Sequence, residues 1–243
     1  MPPMNEIASR LATFQDRLRS ITERLGRDPS KIRLLAVSKT HPGERIAALY
    51  SLGVREFGEN YAQELARKDR ELRHLDVKFV FIGTLQSNKI PLIVEHAAEI
   101  QSVASLRHAK LIAKEASRLG KTPYPIYILV NAGGESTKSG VALAEVLPLA
   151  HDIQTSCPEL TLQGLMAIPP PLKQDGDQEN DTKAPSPPPL YRELRVLANQ
   201  VGCGLLSLGM SDDLPEALAA GSDCIRIGTA LFGPRSTKTD GSP

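Results

Sequence analysis

Eight short runs of apolar, largely branched residues recur along the 243-residue chain, and a helix-period or loop-like segment follows each one. They fall at residues 32–40, 54–58, 77–83, 99–103, 125–130, 160–166, 204–208 and 223–227. Runs this short, bounded by Gly, Pro and Asp, fit strands buried on both faces, as in parallel sheets. Strands alternating with helices predict an α/β chain. Their number favours a single (β/α)8 TIM barrel over an open sheet or two small domains, and the length suits one core of that size.

An extra helix precedes the first strand. Ile7, Leu11, Phe14, Leu18, Ile21 and Leu25 alternate by steps of four and three up to Gly26, a stripe that predicts a helix laid against its own domain. Asn60 followed by Gln63 has the spacing of a capping box and predicts an ordinary helix start. Residues 169–189 are dense in Pro and charge, and are expected to form a flexible insertion; residues 234–243 read as a polar tail.

The strongest chemical signal is the end of the first run, Ala36-Val37-Ser38-Lys39. Alternation puts Leu35, Val37 and Lys39 on one face. In a barrel that face is the interior, and it carries Lys39 to the C-terminal mouth, where such folds keep their chemistry. Partial desolvation there lowers an amine's pKa and suits it to attack an aldehyde, forming a Schiff base. A lysine marking the return of the chain to solvent is the plainer alternative. The last two runs end in glycine turns, Gly209-Met210-Ser211 and Gly228-Thr229, where backbone N–H groups with the Ser211 and Thr229 hydroxyls can hold a phosphate. Arg226, inside an apolar run, needs a partner: an acid such as Asp212, or a ligand.

Other chemistries find little support. A net charge of +1 gives no basic stripe for nucleic acid, no stretch is long and apolar enough to span a bilayer, and no signal-peptide pattern opens the chain, so a cytoplasmic location is expected. The three cysteines, Cys157, Cys203 and Cys224, form no CxxC pair and are expected to be small buried side chains. The histidine spacings fit no metal motif.

Taken in order, Ala36-Val37-Ser38-Lys39, Phe57-Gly58-Glu59-Asn60-Tyr61, Ile82-Gly83 with Leu85-Gln86-Ser87-Asn88-Lys89, Lys138-Ser139-Gly140, Gly164-Leu165-Met166, Gly209-Met210-Ser211 with Asp213, and Arg226-Ile227-Gly228-Thr229-Ala230 resemble the pyridoxal phosphate homeostasis protein family. That family is a single-domain relative of the alanine racemase N-terminal barrel. Val80-Phe81 and Leu208 depart from its usual pattern. The resemblance implies pyridoxal 5′-phosphate as cofactor, held as a Schiff base by Lys39. It further implies phosphate contacts from Ser211, Gly228 and Thr229, Asn60 and Met166 lining the site, and Arg226 facing the pyridine nitrogen. It also implies a monomer that serves vitamin B6 and amino-acid homeostasis without turnover, with PLP-dependent enzymes as recipients and neither nucleic acid nor membrane as partner.

Two other functions compete. An amino-acid racemase needs a second acid/base on the opposite face of the substrate, which the family of racemases takes from a tyrosine beside an additional C-terminal domain; the chain's length after the eighth run leaves no room for that domain. A regulatory interaction protein would use the insertion or the first helix.

Overall fold

The computed structural model describes residues 4–133, 139–172 and 184–234. All eight strands form: β1 (Arg33–Val37), β2 (Glu56–Glu59), β3 (Lys78–Phe81), β4 (Glu99–Val103), β5 (Tyr124–Val130), β6 (Leu160–Ala167), β7 (Leu205–Ser207) and β8 (Cys224–Ile227). They pair in parallel in chain order and close into a barrel, with Arg33 to Ala36 of β1 set against Cys224 to Ile227 of β8. The helices are α1 (Met4–Arg24), α2 (Gly43–Ser51), α3 (Ala62–Glu71), α4 (Ile90–His96), α5 (Leu106–Arg118), α6 (Val146–Ser156), α7 (Pro189–Ala198), α8 (Leu214–Ala219) and α9 (Thr229–Phe232). The family of folds expected from the alternation of runs is the one observed.

Closure splits the apolar residues by strand parity. Ala36, Phe57, Phe79, Phe81, Ile100, Ile126 and Ile128 face the helices and join the main core. Leu35, Val80 and Cys224 pack inside the ring, as do Tyr127, Leu129 and Met166, with Ile82 touching both groups. The inward face of β1 therefore runs through Leu35 to Val37, which lines one cleft with Lys39.

α1 packs on α2, α8 and α9, across the seam where β8 meets β1. Ile7, Leu11, Phe14, Leu18 and Ile21 are buried there, each worth about 1.5–3 kcal/mol relative to exposure. Arg27, just beyond the helix, donates to the carbonyls of Leu218 (2.7 Å) and Ser222 (2.8 Å) and fixes its C-terminal end.

Several local expectations change. β1 stops at Val37, because residues 38–41 fold into a turn. Tyr61, not Asn60, occupies the N-cap of α3, and no side chain caps it; Asn60 is thereby released from the capping role. Cys157 and Cys224 are buried but Cys203 is exposed, since it sits in the turn entering β7 rather than in the strand. Of the expected insertion, residues 169–172 and 184–188 carry no helix or strand and the rest lies outside the described residues, as do residues 235–243 of the expected tail and residues 134–138 with Lys138. Among the described residues no helix is long and apolar enough to cross a membrane, and no group of His, Cys, Asp and Glu could hold a metal ion.

Candidate functional site

Lys39 occupies the second position of a β-turn closed by the His41 N–H donating to the Ser38 carbonyl at 3.1 Å. The third position, Thr40, has φ +66°, a left-handed conformation that a β-branched residue reaches only at a cost of about 1–2 kcal/mol. Such strain persists where the surroundings over-determine it, and they do so here. The Thr40 N–H donates to Glu64 Oε1 at 2.7 Å. Lys68, fully buried, donates from Nζ to the Ser38 carbonyl and to Glu59 Oε1, both at 2.6 Å, and lies 2.8 Å from Glu64 Oε1. Ser38 Oγ donates to the same Glu59 oxygen at 2.6 Å. One buried ammonium thus grips the residues on both sides of Lys39. Burial pushes the Glu59 carboxyl above its ordinary pKa, although Lys68 and Ser38 pull the other way.

At the other end of this turn, His41 is buried and stacks on Phe232 of α9, ring centroids 4.8 Å apart, and Arg45 donates to the Phe232 carbonyl. The β1 loop and the segment after β8 are thereby joined. Gly228 connects β8 to α9 with φ −108°. A Cβ at this glycine would meet only Val37 O at 3.5 Å and Val37 Cβ at 3.6 Å, ordinary contact distances. Packing does not demand glycine there; its absent side chain leaves the floor of the cleft open.

The turn after β7 is fixed from two sides. Gly209, with φ +103°, turns the chain where a Cβ would come within 2.7 Å of Ala217 Cβ. Asp213 accepts from the Met210 N–H and from the Tyr191 hydroxyl, both at 2.6 Å, and Arg17 of α1 donates to the Ser211 carbonyl at 3.1 Å. These contacts hold Ser211 by its backbone.

Arg226 does not pair with the expected acid, Asp212. It is almost completely buried and donates from Nη1 to Ser207 Oγ at 2.9 Å and from Nη2 to the Ala167 carbonyl at 2.7 Å. No carboxylate pairs with it among the described residues. Asp213 is already engaged by Tyr191 and Met210, and Asp212 stands at the rim. Burial pulls the guanidinium pKa below its usual value, but an arginine begins so high that it keeps its charge.

These elements enclose a cleft of about 640 Å³ lined by Lys39, His41, Ser211, Asp212, Arg226, Gly228 and Thr229, with Val37, Met210 and Ala230. Five of the seven expected site residues therefore converge. Asn60 lines a different cleft, of about 340 Å³, with Tyr61, Thr84 and Gln86; its Oδ1 is buried and has no partner among the described residues. Met166 packs inside the ring, in register with Ser207. Sequence reasoning missed Glu59, Glu64 and Lys68 beneath the lysine turn, and Gln101 and Ser207 behind Arg226. Their signal was polarity at a buried strand position, inward-facing for Gln101 and Ser207 but helix-facing for Glu59, or on one side of the helix that follows β2.

The alanine racemase N-terminal domain model matches residues 9–236. The pyridoxal phosphate homeostasis protein of Pseudomonas aeruginosa is 40% identical over 234 residues, spanning 96% of this chain and 97% of that one. PipY of Synechococcus elongatus, solved with PLP bound, superposes with a TM-score of 0.75 at 32% identity over 93% of this chain and 100% of that one. Alanine racemase of Corynebacterium glutamicum shares the fold, with a TM-score of 0.65 at 16% identity over 95% of this chain and 62% of the enzyme. The barrel, the lysine at its mouth and near-full-length identity agree: the chain belongs to the pyridoxal phosphate homeostasis protein family, within the alanine racemase N-terminal domain group.

Proposed function

We propose that this protein binds pyridoxal 5′-phosphate in the cleft at the C-terminal mouth of the barrel, and that it serves intracellular vitamin B6 and amino-acid homeostasis by holding and releasing the cofactor. The observation that carries this reading is the convergence of Lys39, Arg226, Ser211, Gly228 and Thr229, from the ends of β1, β7 and β8, on one cleft. The donor set suits the ligand. Lys39 supplies an amine for an aldehyde, and Ser211 and Thr229 supply hydroxyls for a phosphate. The open floor at Gly228 leaves room for an anion to approach the main chain, and the unspent Oδ1 of Asn60 offers a further polar contact nearby. Met166 supports the site from inside the ring.

When bound, the cofactor supplies an electrophilic aldehyde on an electron-withdrawing ring. Lys39 would hold that aldehyde, and the Lys68 cluster fixes the turn that presents its amine. Arg226 donates hydrogen bonds but keeps its own proton, so a ring nitrogen held against it would not be protonated by it, and the ring would withdraw electrons less strongly than one held against a carboxylic acid. This restrains carbanion chemistry and fits a carrier without turnover of its own. The relatives are named homeostasis proteins rather than enzymes, which favours that role over a racemase. We take the carrier to be a cytoplasmic monomer that passes the cofactor to PLP-dependent enzymes. Borohydride reduction of the loaded protein followed by peptide mapping tests the reading: the label should reside on Lys39, and a label solely on another lysine would overturn it.

A further inference from the structure

Arg226 is the end of a longer chain of hydrogen bonds that runs through the interior of the barrel. Ser207 Oγ accepts from Arg226 Nη1 at 2.9 Å and donates to Gln101 Oε1 at 2.7 Å. Gln101 Nε2 donates to Glu99 Oε1 at 2.7 Å. Both oxygens of Glu99 accept from Arg33 Nη1 at 2.9 Å, and Arg33 Nε donates to Glu56. Ser207 and Gln101 are completely buried. Glu56 and Glu99 are the first residues of β2 and β4, and Arg33 is the first of β1, so the chain ends at the mouth opposite the cleft. Burial alone would lower the Arg33 pKa, but Glu99 and Glu56 raise it well above the usual value.

The direction of this chain is forced. A guanidinium can only donate and a carboxylate can only accept. With Arg226 at one end and Glu99 at the other, the Gln101 amide has one orientation, its Nε2 toward Glu99 and also 3.9 Å from Cys224 Sγ, and its Oε1 takes the Ser207 proton. Each link also satisfies a polar group that would otherwise lack a partner in the interior. A lumen filled only for volume would use apolar side chains, as Leu35, Val80 and Leu129 do in the same interior.

We propose that Gln101 and Ser207 are positioning residues: they anchor Arg226 to the Arg33–Glu99–Glu56 cluster at the far mouth, so the pose of the guanidinium toward the ligand is set from the opposite end of the barrel. The proposal rests on Arg226 contacting the cofactor, and the experiment separates the two claims.

The first measurement uses the ligand-free protein: hydrogen exchange at Arg226 Nε by NMR of 15N-arginine-labelled chain, with Arg226→Lys assigning the signal. Gln101→Met, which keeps the volume but breaks the relay, should accelerate that exchange about tenfold or more, in line with the loss of one charge-assisted bond. Ser207→Ala removes a single oxygen and should do the same should Gln101→Met fail to fold. Gln101→Glu supplies a second readout. The new carboxyl faces Glu99 from β4, Arg33 from β1, Tyr127 from β5, Ser207 from β7, and Cys224 and Arg226 from β8. Only when protonated can it donate to Glu99 as the amide does. Exchange in this variant should match wild type at pH 5 and exceed it at pH 8, each compared at the same pH. Unchanged exchange in both Gln101→Met and Ser207→Ala overturns the positioning role.

The second measurement is the affinity for pyridoxal 5′-phosphate, expected to weaken about tenfold in the same variants. Faster exchange with unchanged affinity would uphold the relay and overturn the contact between Arg226 and the cofactor.

Discussion

Replacing Lys68 by Met removes the one cation that binds the lysine turn together. Its ammonium makes contacts of 2.6 Å to the Ser38 carbonyl, 2.6 Å to Glu59 and 2.8 Å to Glu64. Methionine fills most of the volume, so the loss is electrostatic rather than a cavity. Removing one partner of a buried ion pair costs about 3–5 kcal/mol, because the remaining charge stays buried and uncompensated. At an m-value of about 3 kcal/mol/M that corresponds to a drop of about 1–1.7 M in the urea midpoint, read by circular dichroism on the ligand-free protein.

The penalty should also depend on pH. The Glu59 pKa is already raised by burial in the folded chain, and Lys68 is the main influence holding it down; without Lys68 it rises further. A carboxyl with a raised folded pKa contributes its full stability below its unfolded value, about 4.3, and loses it as pH climbs to the folded pKa, by about 1.4 kcal/mol per unit. The variant should therefore lie closer to wild type at pH 5 than at pH 8. A midpoint shift below about 0.3 M at pH 8, or an equal shift at both pH values, would refute the claim that a buried charge cluster holds the turn.

Three further outcomes follow from the geometry. Gly83→Ala would place a Cβ 1.9 Å from the Asn60 carbonyl oxygen; a backbone neighbour cannot yield cheaply, so the chain should lose about 3 kcal/mol or more in urea unfolding, together with the placement of Asn60. Tyr191→Phe removes the hydroxyl that donates to Asp213 at 2.6 Å and should cost about 1.5–3 kcal/mol while weakening cofactor binding through the turn that carries Ser211, measurable by unfolding and by titration. In native protein a thiol reagent should modify Cys203 rapidly, and Cys157 and Cys224 only after denaturation. The latter two are buried, and burial raises both thiol pKa values.

Much of this molecule can be read from local pattern. Near-continuous apolar runs between helical segments specified the parallel barrel, because an element buried on both faces has few other ways to cover itself. The position of Lys39 at the end of the first run put it at the barrel mouth, and the glycines after β7 and β8 marked turns where the backbone is open to a ligand. Asn60 shows where local pattern misleads: its spacing to Gln63 is that of a cap, yet Tyr61 takes the position.

What only the tertiary structure decided is who meets whom inside the ring. Ser207 reaches Gln101 across 106 residues and Arg226 reaches the Ala167 carbonyl across 59, while Lys68, on a helix whose sequence looks solvent-facing, ends up fully buried against Glu59. The physical reason is closure. Periodicity states which face of a strand is covered, but the partners across the lumen depend on the stagger of the strands around the barrel, and no stretch of sequence encodes that alone.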